Sequence, residues 1–110
     1  MNIIKATEGL TKRNIYDLTR SPEIKKMSEN RGAVIDVDSF CLYLDVNAKG
    51  DEVTILSIGA KDGSVYATNS QTVIKEFEYI LDLMGGEPFA VRVMTGTSKN
   101  GREYITVALA

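Results

Sequence analysis

The spacing of apolar residues switches twice along this chain, and that switching limits the possible folds more than any other feature. From residue 33 the period is two. Phe40, Leu42 and Leu44 fall on one face and Ser39, Cys41 and Tyr43 on the other, the alternation of a half-buried strand over 33–45. Asn47-Ala48-Lys49-Gly50-Asp51 has turn chemistry, and a second strand is predicted over 53–60. Lys61-Asp62-Gly63 carries the Asp-Gly pair of tight hairpins ahead of a short third strand over 64–68. The period then becomes helical. Val73, Ile74, Phe77, Ile80, Leu81 and Met84 form one stripe, with Asn69 or Ser70 as cap and Gly85-Gly86 as stop, which predicts a helix over 70–84. After Pro88 the period returns to two, with strands over 89–95 and 102–109 around the turn Gly96-Thr97-Ser98-Lys99-Asn100-Gly101.

Three strands, one helix and two strands is the order of the oligonucleotide-binding (OB) barrel, in which a helix bridges the third and fourth strands and plugs one end. The expected class is therefore mainly β with α, an OB-fold-like five-stranded barrel. A small α+β sheet packed on one helix gives the same order, so the barrel is an expectation from order alone. Ahead of it, residues 2–6 suit a short strand. Ser21-Pro22-Glu23 has the N-cap, first-turn proline and early acid of a helix start, which predicts a helix over 21–29. With 110 residues the chain suits one domain, read as an extension over 1–32 packed on a core over 33–110. Ile3, Ile4, Leu10, Ile15, Leu18, Ile24 and Met27 give the extension an apolar side that fits either the barrel or a neighbouring subunit.

Absent residue types exclude much chemistry. There is no histidine and a single cysteine, Cys41, so a disulfide, a Cys/His zinc site, a Ser-His-Asp triad and a Cys-His dyad are all ruled out within the chain. No GxxxxGK[ST] loop and no GxGxxG after a strand supports a phosphate cradle. No catalytic residue and no cofactor is expected. Asp36 and Asp38 share a strand face and with Asp45 or Asp51 suggest a metal-dependent nuclease, but they fit an exposed stretch of strand better, so no metal is expected. No apolar run approaches the roughly 18 residues of a membrane span, and the start of the chain lacks a secretory stretch. A soluble, cytoplasmic protein without membrane association is the expectation.

Net charge is −2, which by itself argues against a polyanion partner, yet it is unevenly spread. Residues 1–31 carry seven Lys/Arg against four Asp/Glu, residues 32–90 three against ten, and residues 91–110 three against one. If the apolar phase of each strand points inward, Tyr43, Tyr66, Arg92, Arg102 and Tyr104 share the outward phase, with Val65, Ala67, Val91, Val93, Ile105, Val107 and Leu109 inside. Tyrosines offer flat faces to unpaired bases and arginines neutralise phosphates, a combination suited to single-stranded nucleic acid read without sequence preference. Lys49 and Lys99 sit in the two hairpin turns through which OB folds commonly bind. The expected nucleic-acid-binding set is thus Tyr43, Lys49, Tyr66, Arg92, Lys99, Arg102 and Tyr104. Taken singly, an outward tyrosine on a strand also fits cross-strand packing. Tyr79 reads as structural at the helix flank, and Lys25 and Lys26 as a solvated helix face, with an arm along nucleic acid as the other reading.

Residues from 33 onward resemble the single-stranded-DNA-binding proteins of phi29-type Bacillus phages and their relatives. The matching features are the first strand, Asn47-Ala48-Lys49-Gly50, Asp62-Gly63-Ser64-Val65-Tyr66, Ser70-Gln71-Thr72-Val73, the turn from Gly96 to Gly101, and Asn2-Ile3-Ile4-Lys5-Ala6-Thr7 near the start. About three quarters of the chain is covered, and residues 8–32 carry no match. The resemblance implies a non-enzymatic phage or prophage replication protein that coats displaced single strands in the host cytoplasm, with single-stranded DNA as partner, replication proteins as further partners and self-association as an option. It gives Tyr66 its strongest support. The other function considered is a phage accessory module that binds a protein and no nucleic acid.

Overall fold

A computed structural model describes residues 1–110. The order from residue 34 onward is the expected one, with strand ends moved by one or two residues. β3 (Val34–Val46), β4 (Glu52–Ala60) and β5 (Val65–Thr68) are followed by α2 (Gln71–Met84), β6 (Ala90–Thr97) and β7 (Glu103–Leu109). Before them come β1 (Asn2–Ala6), α1 (Lys12–Thr19), the two-residue β2 (Lys25–Lys26) and a single 3-10 turn (Met27–Glu29). The strands form one curled sheet in the order β2-β5-β4-β3-β6-β7, with β1 also paired to β3. All pairs are antiparallel except β2 with β5. This is an OB-like half-barrel.

β3 is long enough to serve both halves of the curl. Its start pairs with β6 through Val34↔Arg92 to Asp36↔Ala90, and the remainder with β4. β1 pairs with the later part of β3, from Ala6↔Cys41 to Asn2↔Leu44. The barrel is not closed by pairing β5 with β7. Instead β2 takes the free edge of β5, and the chain after it runs on to β6 and β7: Gly32 N–H donates to the Val93 carbonyl, and Arg31 pairs with Glu103 at 3.1 Å.

The main core lies inside the curl. Val73, Ile74, Phe77 and Ile80 of α2 pack on Phe40, Leu42, Leu56 and Ile58 of one half and Val91, Val93, Ile105 and Val107 of the other. Phe77 is fully buried, edge-on to Phe40 with ring centroids 5.6 Å apart. Ser70 accepts a hydrogen bond from Val73 N–H at the helix start, and Gly85, with φ 57, ends it in the left-handed conformation glycine adopts most easily. Leu109, expected inside, is 47% exposed at the chain's end.

The helix predicted over 21–29 does not form. Ser21 and Pro22 start a turn, where Ser21 Oγ accepts from Glu23 N–H, and the chain then straightens so that Lys25 pairs with Tyr66 and Lys26 with Ala67. This satisfies the backbone at the edge of β5 and sends Met27, fully buried, into the main core. An N-cap signal specifies one turn; tertiary pairing decides how the chain continues beyond it. The helix of this region is α1, opened by a capping box in which Thr11 Oγ1 accepts from Asn14 N–H at 3.1 Å and Asn14 Oδ1 accepts from Thr11 N–H at 3.0 Å. Leu18 of α1 lies against the outer face of β3 and β4 beside Cys41 and Tyr43, a second small core.

Because Met27 fills the same core as Phe77, Met27→Ala should destabilise the whole protein by about 2–5 kcal/mol. Urea unfolding measures this, with one cooperative transition expected. A loss well under 1 kcal/mol would mean that the extension is not part of the core.

Candidate nucleic-acid interface

β5 is shorter than the strand it pairs with, and this opens an apolar-lined recess on the surface. The last β4–β5 pair is Leu56↔Thr68, after which the chain turns away at Asn69 into α2. Residues 53–55 of β4 therefore have a strand on the β3 side only. The resulting groove, about 500 Å³, is lined by Val53 and Ile55, by Ala67, Thr68, Asn69 and Ser70, by Lys26 and Ser28 of the extension, and by Tyr104 and Ile105 of β7. No carboxylate lines it. Acidic residues Asp17, Glu23 and Asp62 instead line a separate polar recess near the β4–β5 turn, together with Arg13 and Lys25.

Tyr104 is the hinge between this groove and the next. It also lines a second recess with Thr72, Ser98, Arg102 and Glu103, and Thr106 carries the surface on to Thr72, Lys75, Glu76 and Tyr79 of α2. Tyr104 is 43% exposed, and its ring lies over Gly96, its partner across the β6–β7 ladder. Glu103 is tied to Arg31, leaving the Arg102 guanidinium as the unpaired charge at the recess. Surface pairs of this kind add little stability, about 0–1 kcal/mol, so the effect of Arg31 is chiefly to offset a negative charge beside the groove.

The seven residues expected to bind divide into four groups. Tyr104 and Arg102 meet at the recess beside the groove. Lys49 and Lys99 are exposed in the β3–β4 and β6–β7 turns and line neither the groove nor the recess. Arg92 is exposed further along the same outer face of the hairpin, in register with Ala108 while Gly96 is in register with Tyr104. Tyr43 and Tyr66, expected outward, are buried at 3% and 9% exposure. Tyr43 packs with Leu18 and Cys41 beneath α1; Tyr66 lies on the main-core face opposite Ile58, with Lys25 Nζ 5.4 Å from its ring centroid. The phase expected for the third strand is thus reversed: Tyr66 faces the main core under α2, and Val65 packs on the other side of the sheet with Leu18 of α1.

Three residues of these recesses were not in the expected set. Lys26 reaches the groove only because β2 is a strand. Lys75 and Tyr79 lie on the solvent side of α2, and Tyr79, expected to be structural, is 63% exposed. The helical stripe carried that signal, since both positions fall outside the apolar phase. Asp36 and Asp38 are exposed on β3, and no three His, Cys, Asp or Glu side chains cluster.

Burial also tunes two ionisable groups. The Cys41 thiol and the Tyr43 hydroxyl are both pushed up from their ordinary values of 9.0 and 10.0, chiefly by desolvation. An acid with a raised folded-state value ionises first in the unfolded chain. Its contribution is therefore present below the unfolded value and lost as pH rises through the folded one. Urea midpoints should hold steady from pH 7 to 8 and fall progressively between pH 9 and 11, with Cys41→Ala removing the lower part of that fall. A flat profile to pH 11 would contradict the burial of both groups.

The chain matches the family described as phage single-stranded DNA-binding protein over residues 2–110, so the match takes in residues 8–32 as well. It is similar to the single-stranded DNA-binding proteins of Bacillus phage phi29 and Bacillus phage PZA, each 31% identical over 121 aligned positions that cover 99% of this chain and 96% of the relative. No solved structure matches it.

Proposed function

The chain belongs to the phage single-stranded DNA-binding protein family, and from that membership we propose that it binds single-stranded DNA in the groove between the open edge of β4 and Tyr104. The observation that carries this placement is the composition of the groove: an apolar floor, an exposed tyrosine and a lysine at the rim, and no lining carboxylate, with Arg102 in the recess on the other side of Tyr104. A single strand needs those features, since unpaired bases stack on aromatic faces while cations follow the phosphates. Duplex DNA hides its base faces and gains nothing from Tyr104.

Tyr104 is the stacking platform. Arg102 and Lys26 take phosphates at the groove, Lys49 and Lys99 do so from the turns, and Arg92 extends the track along the hairpin. Tyr43 and Tyr66 would need a local opening to meet a base, so their part in this reading is to shape the sheet beneath the site. The protein acts by occupancy, without chemistry and without a cofactor. Its role on this reading is to coat displaced strands during phage replication in the host cytoplasm, alongside replication proteins; self-association along the strand would extend it.

Anisotropy with labelled oligo-dT and a matched duplex tests the reading, at low salt and at about 200 mM. Selective single-strand binding that weakens with salt is expected. Tyr104→Ala should cost about 1–3 kcal/mol of binding. Arg102→Ala and Lys26→Ala should each reduce the magnitude of the salt slope by about 0.7. Absence of single-strand binding at low salt sinks the proposal and points to a protein partner.

A further inference from the structure

Gly96 lies within β6, where a glycine ordinarily weakens a strand through its chain entropy and missing side chain. Its backbone is not in the left-handed region, so its conformation is open to any residue. Backbone geometry therefore does not explain it. The space above it does: a Cβ there would fall 2.5 Å from Cζ, 2.6 Å from the hydroxyl oxygen and 2.9 Å from Cε2 of Tyr104. The two residues are directly opposed in the β6–β7 ladder. The far half of the ring thus occupies the volume a side chain at 96 would take, as aromatic residues do when they cover a glycine in a sheet.

We infer that Gly96 is a positioning residue for nucleic-acid binding: by lacking a side chain it seats the Tyr104 ring across β6, fixed against the ladder and open to a base from the solvent side. This rests on the reading of Tyr104 as the stacking platform. A ring held in one orientation loses less freedom when a base stacks on it, so the seat contributes to affinity without touching DNA. The atoms that would clash belong to the end of a side chain that can swing, so an alanine at 96 displaces the ring and leaves the strand intact.

The test is a double-mutant cycle on oligo-dT affinity with Gly96→Ala, Tyr104→Ala and both together, with melting curves alongside. Gly96→Ala should fold, melt within a few degrees of the native protein and bind about three- to tenfold more weakly, less than the full loss from removing the ring. The double variant should bind no more weakly than Tyr104→Ala, because the glycine acts through the ring. If Tyr104→Ala weakens binding while Gly96→Ala does not, or if the two losses multiply, the inference about Gly96 is overturned and the Tyr104 reading stands. If Tyr104→Ala binds like the native protein, both fall. Should Gly96→Ala fail to fold, NMR of the native chain decides: the Gly96 α-proton signals should be shifted upfield by the ring and return on Tyr104→Leu, and unshifted signals would overturn the seating.

Discussion

The apolar stripe of α2 has to leave water, and the way it does so governs the rest of the molecule. Val73, Ile74, Phe77 and Ile80 find cover only inside a curled sheet, between the β3–β4–β5 half and the β6–β7 half. Fully burying such side chains is worth about 1.5–3 kcal/mol each. To bring the stripe there the chain must leave β5 early, at Thr68, and cap the helix with Ser70. The short β5 leaves two gaps: a free outer edge on β5 itself and an unpaired length of β4 beyond it.

Those gaps have different fates. The edge of β5 is taken by β2, which extends the sheet by main-chain pairing and places Met27 in the core. An exposed strand edge of this kind invites pairing with other chains, and covering it from within removes that hazard. The unpaired length of β4 stays open and becomes the floor of the groove. Fold and groove therefore share one cause: the element that covers the β5 edge also supplies Lys26 to the rim, and the hairpin that completes the sheet supplies Tyr104 to the groove and Arg102 to the recess beside it.

The sequence made the order of elements from β3 to β7 readable because period two and period 3.6 are distinct, and the caps and glycines of α2 marked its ends. It misled over residues 12–29, where two N-cap signals compete. Thr11 with Asn14 opens the real helix, while Ser21-Pro22 opens one turn before the pull of the β5 edge and of the Met27 pocket wins. Tyr43 and Tyr66 misled for a related reason. Alternation reveals an outward face only when that face is wet, and here α1 lies on one side of the sheet and α2 on the other, so Cys41 to Tyr43 are buried on both phases. The exposed positions of Tyr104, Arg102, Lys49 and Lys99 were legible because they sit at or beside hairpin turns. The groove was not, since its wall draws on residues as distant as Lys26, Val53, Asn69 and Tyr104, whose meeting is a product of the curl.

On the proposed reading a single strand lies in the groove that the short β5 leaves open. Amide chemical-shift mapping of the native protein titrated with oligo-dT examines that placement residue by residue. The largest changes are expected at residues 53–55, 67–70 and 102–106 and at Lys26, with little change around α1. Changes concentrated on α1 and β1, with the groove unmoved, would contradict it.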